Sequence, residues 1–549
     1  MQPISRRLFL VAGAAVIVGA CSDSGGQQGA PTSALPTGDI AATTDAAATT
    51  TVAPTSPAST TTSTTLPTIQ LSGDPFTLGV ASGDPDPTSV VLWTRLAPEP
   101  LNAGGMPADD VDVTWEVSST ADFASIESSG TETAVAAHGH SVHAVVPLSA
   151  GKWNYRFRVG QYTSPVGTTR VAPPADSVVD RAVFAVASCQ NYSEGQYAAH
   201  RDIAEHVPDF VVWLGDYIYE DAGAPGADPA ARVHLGPEPT TLEEYRNRYG
   251  RYKTDPNLQA AHVTCPWFII WDDHEVENNY AGLVPQAPAD APTFPARRFA
   301  AYQAWWEHQP VRLDPPVDAV TEYKTYRDEH WGALMNLVLL DGRQYRSDQA
   351  CGDVTLSVAP PCPEVFDPTR TMLGDVQEAW LFDTLGASTA TWNVIGNQVV
   401  FADATLNGAV LNFDQWDGYP VERARILQHL ADAKIPNVVV VTGDIHLAAI
   451  AQLRAGDRGT GTPVGAEFIT TAISSSGLIS DQFTDVLKAY PHLIDAELTH
   501  RGYTLHTVTP DRWVAEYRLV ADVTRADSEV TTLGSYAVDV GTNIVTKVV

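Results

Sequence analysis

Four short stretches carry side chains that can hold metal ions. Cys189 stands in Ser188-Cys189-Gln190, and Asp216 and Tyr219 stand in Gly215-Asp216-Tyr217-Ile218-Tyr219. Asp273 and His274 stand in Trp271-Asp272-Asp273-His274-Glu275, followed by Asn278-Asn279, and Asp444 and His446 stand in Thr442-Gly443-Asp444-Ile445-His446. In three of the four, an apolar run stops abruptly at acidic or imidazole groups. A buried carboxylate without a partner is costly, and a cation removes that cost. One Gly-Asp turn is commonplace, but the set of four points to a metal centre.

The donor types sort by preference. Thiolate and phenolate suit a trivalent or borderline ion such as Fe3+, carboxylates with a carboxamide suit a hard ion such as Ca2+, Mg2+ or Mn2+, and Zn2+ stays open. A bridging carboxylate, for which Asp216 is the candidate, would keep two ions close together. Such a pair activates water and clamps phosphoryl oxygens for in-line displacement. His274, next to Asp273, is placed to protonate a leaving alkoxide or to bind a phosphate oxygen; the plainer reading makes it a structural histidine.

The elements that must position these groups read as alternating strands and helices. Phe184–Ala187 and Phe210–Leu214 are short apolar runs of the kind found in buried parallel strands, with a helix predicted between them over about residues 196–206. Ligands at the C-terminal ends of adjacent parallel strands fall in the crevice of an open α/β sheet. Further strands are predicted at 267–271, 334–340, 392–401 and 438–441, and helices at 241–252, 294–308, 375–385 and 421–433. Beyond about Glu467 the pattern returns to strand. The expected fold class is α/β, a β-sandwich of mixed sheets flanked by helices over residues 180–549.

Ahead of it, residues 74–174 show short alternating runs broken by Gly, Pro, Asp and Ser, the pattern of a small all-β sandwich. His138, His140 and His143 cluster there; alternation would put His138 and His140 on one strand face, and surface histidines are the expectation over a metal site. Residues 22–73 are rich in Ser, Thr, Ala and Pro and cannot bury a core, so they read as a disordered tether. Residues 1–21 read as an export signal, with Arg6-Arg7 before an apolar stretch too short to span a bilayer. The arginine pair resembles a twin-arginine signal. Val18-Gly19-Ala20-Cys21 resembles a bacterial lipobox, which makes Cys21 a lipid-anchor site on an extracytoplasmic protein.

The formal net charge of -32 over 549 residues excludes nucleic-acid binding through a basic face. An anionic substrate needs local positive charge here, and bound cations are the simplest source.

The order Gly-Asp-x-x-Tyr, Asp-His-Glu, Gly-Asp-x-His resembles the calcineurin-like metallophosphoesterases, with the tyrosine of the purple acid phosphatases. The chain is still more similar to the PhoD-type alkaline phosphatases. The matching stretches include FTLGVASGDPDPTSVVLWTRL at 76–96, GDYIYE at 215–220, WDDHEVENN at 271–279, LDGRQYR at 340–346, WDGYPVER at 416–423 and TGDIH at 442–446. The resemblance implies hydrolysis of phosphate mono- and diesters outside the cytoplasm by a centre of Fe3+ and Ca2+. Carried over position by position, it implies Cys189, Asp216, Tyr219 and His446 on iron, and Asp216, Asp273 and Asp444 on calcium, with Asn278 on metal or phosphate. Arg343 is the first choice for gripping a phosphate oxygen, because a planar fork suits one; Arg346 and Arg423 compete for that place. Trp416-Asp417 either lines the mouth of the site or packs.

Members of that family can close the site with a C-terminal helix. The tail over 530–549 reads instead as strand and loop, so a more open site and activity on bulky diesters are expected. Cys351 and Cys362 flank a short Pro-rich loop and are expected to pair in an exported protein; Cys265 is expected as a buried free thiol. A monomer is expected. Two other readings stand beside the main one: a phospholipase D-like or cell-wall polymer phosphodiesterase on the same centre, and, more remotely, a non-catalytic surface binding protein.

Overall fold

The computed structural model describes residues 70–223, 232–353, 359–477, 487 and 490–548. The export signal, Cys21 and nearly all of the tether lie outside them. No helix among the described residues is long and apolar enough to cross a membrane.

Two large sheets face each other. In the first, of ten strands, Ala182–Ala187, Phe210–Leu214 and Trp267–Ile270 run parallel at the centre. In the second, of seven strands, Met335–Leu339, Trp392–Gly396, Val438–Thr442 and Thr462–Ile469 run parallel. Apolar residues on both faces of each central strand explain this layering, because both faces are covered. Phe184, Val186, Phe210, Val212 and Leu214 meet Leu337, Leu339, Val394, Val439 and Val441 between the sheets. The alternate residues Ala185, Val211, Trp213 and Ile269 face helices Ala198–His206, Leu242–Lys253, Pro256–His262 and Phe294–His308. On the far side, Val338, Ile395, Val438 and Val440 pack under helices Gly374–Ala387 and Pro420–Asp432. Full burial of each Val, Leu or Phe contributes about 1.5–3 kcal/mol, so the sandwich rather than helix propensity holds the centre in place. The fold is thus a helix-flanked β-sandwich.

Helix starts follow local chemistry. Thr241 and Glu244 form a reciprocal capping box, and Asp255 caps the helix that begins at Pro256. The apolar run predicted as one strand over 392–401 breaks after Gly396, because Gln398 turns inward to donate to the Trp271 and Leu340 carbonyls at 3.0 and 2.7 Å.

The N-terminal sandwich packs a sheet holding Val111–Ser118 and Gly151–Val159 onto strands Val80–Gly83, Ser89–Arg95 and Ser141–Pro147. Those three strands also extend the ten-stranded sheet, since Gly83 pairs with Trp267. A Cβ at Gly83 would sit 2.2 Å from the Pro310 carbonyl, so only glycine allows this junction.

The three histidines do not share a strand face. His138 ends a 3-10 turn, and His140 takes a left-handed conformation with Nε2 3.0 Å from the Asp109 carbonyl. His143 stacks on Trp306 at 4.2 Å, and His138 meets the edge of the same ring at 5.2 Å. His138 and His143 dock the small sandwich on the helix Phe294–His308, whereas His140 stays within it. The tail continues the ten-stranded sheet as strands Val530–Asp539 and Val545–Lys547.

Candidate metal centre

The parallel strands of both sheets end on the same side, and each end turns sharply. Cys189 and Ser188 follow Ala187, Asp216 follows Gly215, Asp272 and Asp273 follow Trp271, and Asp444 follows Gly443. Cys189, Asp216, Asp444 and His446 all hold positive φ, between 56° and 62°. Non-glycine residues reach that region only at a cost of about 1–3 kcal/mol each, and such strain collects at functional sites. Gly215, with φ 96°, lies so close to Asp272 that a Cβ would come within 2.4 Å of the Asp272 Cβ. The glycine therefore lets two acid-bearing strand ends touch.

Three groups of donor atoms interlock. Cys189, Asp216 and His446 form one, Asp216, Asp273 and His274 a second, and Asp272, Asp273 and Asp444 a third; within each group the atoms lie inside 4.8 Å of one another. Asp216 is shared by the first two groups and Asp273 by the last two. Tyr219 joins the first: its hydroxyl donates to Asp216 Oδ2 at 2.8 Å and lies 3.0 Å from His446 Nε2. Ser475 donates to the same phenol oxygen at 2.9 Å. His446 Nδ1 donates to the Ser476 carbonyl at 2.8 Å, which leaves the lone pair on Nε2 facing Tyr219 and Asp216.

Electrostatics make the cluster a candidate cation site. Asp216 Oδ1, Asp272 Oδ2 and Asp273 Oδ1 are buried and make no hydrogen bond. Burial, opposed by His274 and reinforced by Asp273, Glu275 and Asp444, pushes Asp216 well above the usual carboxylate range. Burial and Asp273 push Asp444 up to about 7. Burial, then Asp216 and Asp444, hold the Cys189 thiol well above its ordinary value. Cations reverse each of these costs, because thiolate, phenolate and carboxylate are ligands only when deprotonated. The donors thus fit a thiolate–phenolate–imidazole site and a carboxylate site joined through Asp216.

The region that carries these strand ends matches known proteins. Residues 184–517 match the PhoD-like phosphatase family, and residues 60–173 match the N-terminal domain of PhoD-like phosphatases. The chain belongs to the PhoD-like phosphatase family. It is 43% identical over 476 residues to alkaline phosphatase D of Bacillus subtilis (strain 168), covering 85% of this chain and 81% of that protein. A solved structure of PhoD superposes with a TM-score of 0.83 at 42% identity, covering 88% of this chain and 93% of the other. As a PhoD-like phosphatase, the chain is a phosphoesterase.

Around the donors, carboxylates brace the loops of this candidate centre. Glu275 accepts from the Asp216, Tyr217 and Asp272 main-chain N–H groups at 3.0, 2.6 and 2.8 Å, tying two strand ends together. Glu220 accepts from His274 at 2.6 Å. Burial alone would lower the His274 pKa, but Glu220, Asp273 and Asp216 hold it well above the ordinary value. Burial alone would raise Glu220, yet His274 holds it down to about 2. Asn278 is half-buried, and its carboxamide makes no hydrogen bond among the described residues.

The placement of Arg343 differs from a phosphate grip. Its side chain is wholly buried; Nε bonds Asp272, and Nη1 and Nη2 each lie 2.7 Å from one oxygen of Asp414. Every nitrogen is engaged by a carboxylate, so a phosphate oxygen would have to displace one. Arg346 is likewise paired with Asp414 at 2.5 Å, and Arg423 with Asp417 at 2.5 Å. Trp416 is fully buried and packs on Phe401. Sequence reasoning missed Asp414 and Gln415; Gln415 donates to Asp444 at 2.5 Å. Both lie in an irregular loop with no periodic signal.

Cys351 and Cys362 form a disulfide, and Cys265 is a buried free thiol, pushed up to about 12 by burial.

Proposed function

We propose that this phosphoesterase is exported, metal-dependent and built on a mixed centre of Fe3+ and Ca2+, hydrolysing phosphate mono- and diesters outside the cytoplasm. The observation that carries the reading is the chain of three donor groups sharing Asp216 and Asp273. Cys189, Asp216, Tyr219 and His446 would hold iron, and Asp216, Asp273 and Asp444 would hold calcium. Zn2+ or Mn2+ in place of either is an outcome of the metal measurement. Bound there, the pair would supply a water acidified toward neutral pH and positive charge for the phosphoryl oxygens.

The side chains do the rest. Asn278 presents its carboxamide to a phosphoryl oxygen. A water oxygen bonds to phosphorus in line with the ester oxygen, whose P–O bond breaks. The leaving alkoxide takes the proton of His274 Nε2, and the attacking water gives its proton to solvent. Arg343 acts as a positioning residue, fixing Asp272 and Asp414 beside the donors rather than touching phosphate.

Export and lipid anchoring rest on Arg6-Arg7 and on the stretch ending in Cys21. A second reading on the same centre, a phospholipase D-like or cell-wall polymer phosphodiesterase, is favoured by the tail, which continues a sheet as edge strands rather than forming a helix. The binding-protein reading has no observation in its favour. Turnover of an aryl monoester and an aryl diester before and after chelation tests both points. Activity lost on chelation, with the diester at least as good a substrate, is expected. Activity that survives exhaustive chelation would overturn metal dependence, and a strong monoester preference would overturn the open-site reading.

A further inference from the structure

Glu220 ends the motif Gly215–Glu220 and is 5% exposed. Its two carboxylate oxygens are spent on two points of one opposing turn. Oε2 accepts from His274 Nδ1 at 2.6 Å, and Oε1 accepts from the Asn278 main-chain N–H at 2.9 Å. The turn between those points is short, with Val276 N–H donating to the Asp273 carbonyl at 2.8 Å. Tyr219, the residue before Glu220, stacks on the His274 imidazole with ring centroids 4.1 Å apart. The ring is therefore fixed by a stack from one residue and a hydrogen bond from the next. His274 Nε2 makes no hydrogen bond among the described residues and lies opposite the bonded nitrogen.

We propose that Glu220 is a positioning residue for the reaction: one carboxylate sets the His274 ring and the Asn278 backbone together, so that the proton donor and the phosphoryl contact face the donor cluster in fixed register. This rests on the roles given above to His274 and Asn278.

The geometry explains why a carboxylate is needed. Both of its partners are N–H donors, and only a group with two acceptor oxygens satisfies both. A glutamine has one oxygen. Its amide nitrogen must face either the Asn278 N–H, which cannot give up its proton, or His274 Nδ1. In the first case the turn loses its anchor; in the second the amide can bond only a neutral ring with a bare Nδ1, so the protonated imidazole that must give up the Nε2 proton loses its acceptor. A partner that orients a reacting histidine acts through position, and such partners typically change activity by about 10–100-fold.

The test is the dependence of kcat/KM on leaving-group acidity, measured on the metal-loaded full chain with a series from nitrophenyl to alkyl phosphates. Proton delivery matters little for a good leaving group and much for a poor one. His274→Asn is expected to steepen the dependence and to cost about 10²–10⁴-fold with the poorest leaving group. Glu220→Gln is expected to steepen it in the same sense, by about 10–100-fold, with iron and calcium contents unchanged. The double variant should be no worse than His274→Asn alone. A steepened dependence in His274→Asn with a wild-type dependence in Glu220→Gln would overturn the inference while leaving the function standing. A wild-type dependence in His274→Asn would overturn the role of His274, and the inference with it. If Glu220→Gln does not fold, Glu220→Asp carries the test. It keeps the charge but shortens the reach, so an intermediate steepening is expected, and a wild-type slope contradicts the proposal.

Discussion

Arg343 grips Asp414 with both ends of its guanidinium, each nitrogen 2.7 Å from one carboxylate oxygen. The same arginine reaches Asp272, whose second oxygen makes no hydrogen bond. Arg346 and Gln349 add to Asp414 at 2.5 and 2.7 Å. The fork thus holds two carboxylates beside the proposed ions. Arg343→Ala should destabilise the protein by about 3–5 kcal/mol, because it strands buried charge. Arg343→Lys keeps a charge but not the fork, and should weaken calcium binding by about 10–100-fold with little change in inhibition by inorganic phosphate. Calorimetric calcium titration and phosphate inhibition check this; the reverse pattern would return Arg343 to the substrate.

Tyr219 offers a cleaner separation of the two ions. Tyr219→Phe keeps the stack on His274 but removes the oxygen that meets Asp216 and His446. Iron content should fall by at least about tenfold while calcium is retained. Equal iron in both proteins would remove the phenol from the ligand set.

Metal removal should expose a pH dependence of known sign. Asp444 is pushed up to about 7 in the fold by burial and Asp273, above the ordinary carboxylate value near 4. A raised carboxyl contributes its stability below the unfolded value and loses it as pH rises through the folded one. The Asp444 contribution alone should therefore make chelated protein lose thermal stability as pH rises from about 4 through about 7. Protein loaded with metal should not show this slope. Melting curves across that range, with and without chelator, decide it; parallel slopes would contradict the cation site.

The disulfide closes a loop that leads to the centre: Asp353, just after Cys351, accepts from Asn279 Nδ2 at 2.9 Å, and the Asn279 N–H donates to Asp273 at 2.7 Å. Replacing both cysteines by serine should lower stability by about 2–4 kcal/mol. Denaturant unfolding measures it, and an unchanged midpoint would show that the link adds nothing.

Much of this was legible in the chain because buried strands announce themselves. Val438–Thr442 is apolar on both faces and then stops at Gly443-Asp444, and Phe210–Leu214 stops at Gly215-Asp216. An apolar run meeting an acid is a local signal, so Asp216, Asp273 and Asp444 could be picked out; Cys189 and His446 were readable as donor types at or just beyond similar strand ends, and the five are found together. Arg343 shows the limit. Its type and neighbourhood were readable, but the partner Asp414, 71 residues on, comes from a loop without periodicity, and no local rule pairs them. Glu275 and Glu220 were visible as acids within their motifs. Their work, bonding main-chain N–H groups of other loops, exists only once the two sheets have brought the strand ends together. The junction at Gly83 is similar, since the need for glycine there is set by Pro310 and Trp267 rather than by its neighbours.

The most direct test of the central claim is elemental analysis of the purified protein, paired with hydrolysis of an aryl phosphate after chelation and calcium add-back. The account predicts iron together with calcium, and activity that vanishes on chelation and returns with calcium. Two zinc ions would keep the phosphoesterase but contradict the thiolate–phenolate iron site, and full activity in protein free of metal would contradict the account at its centre.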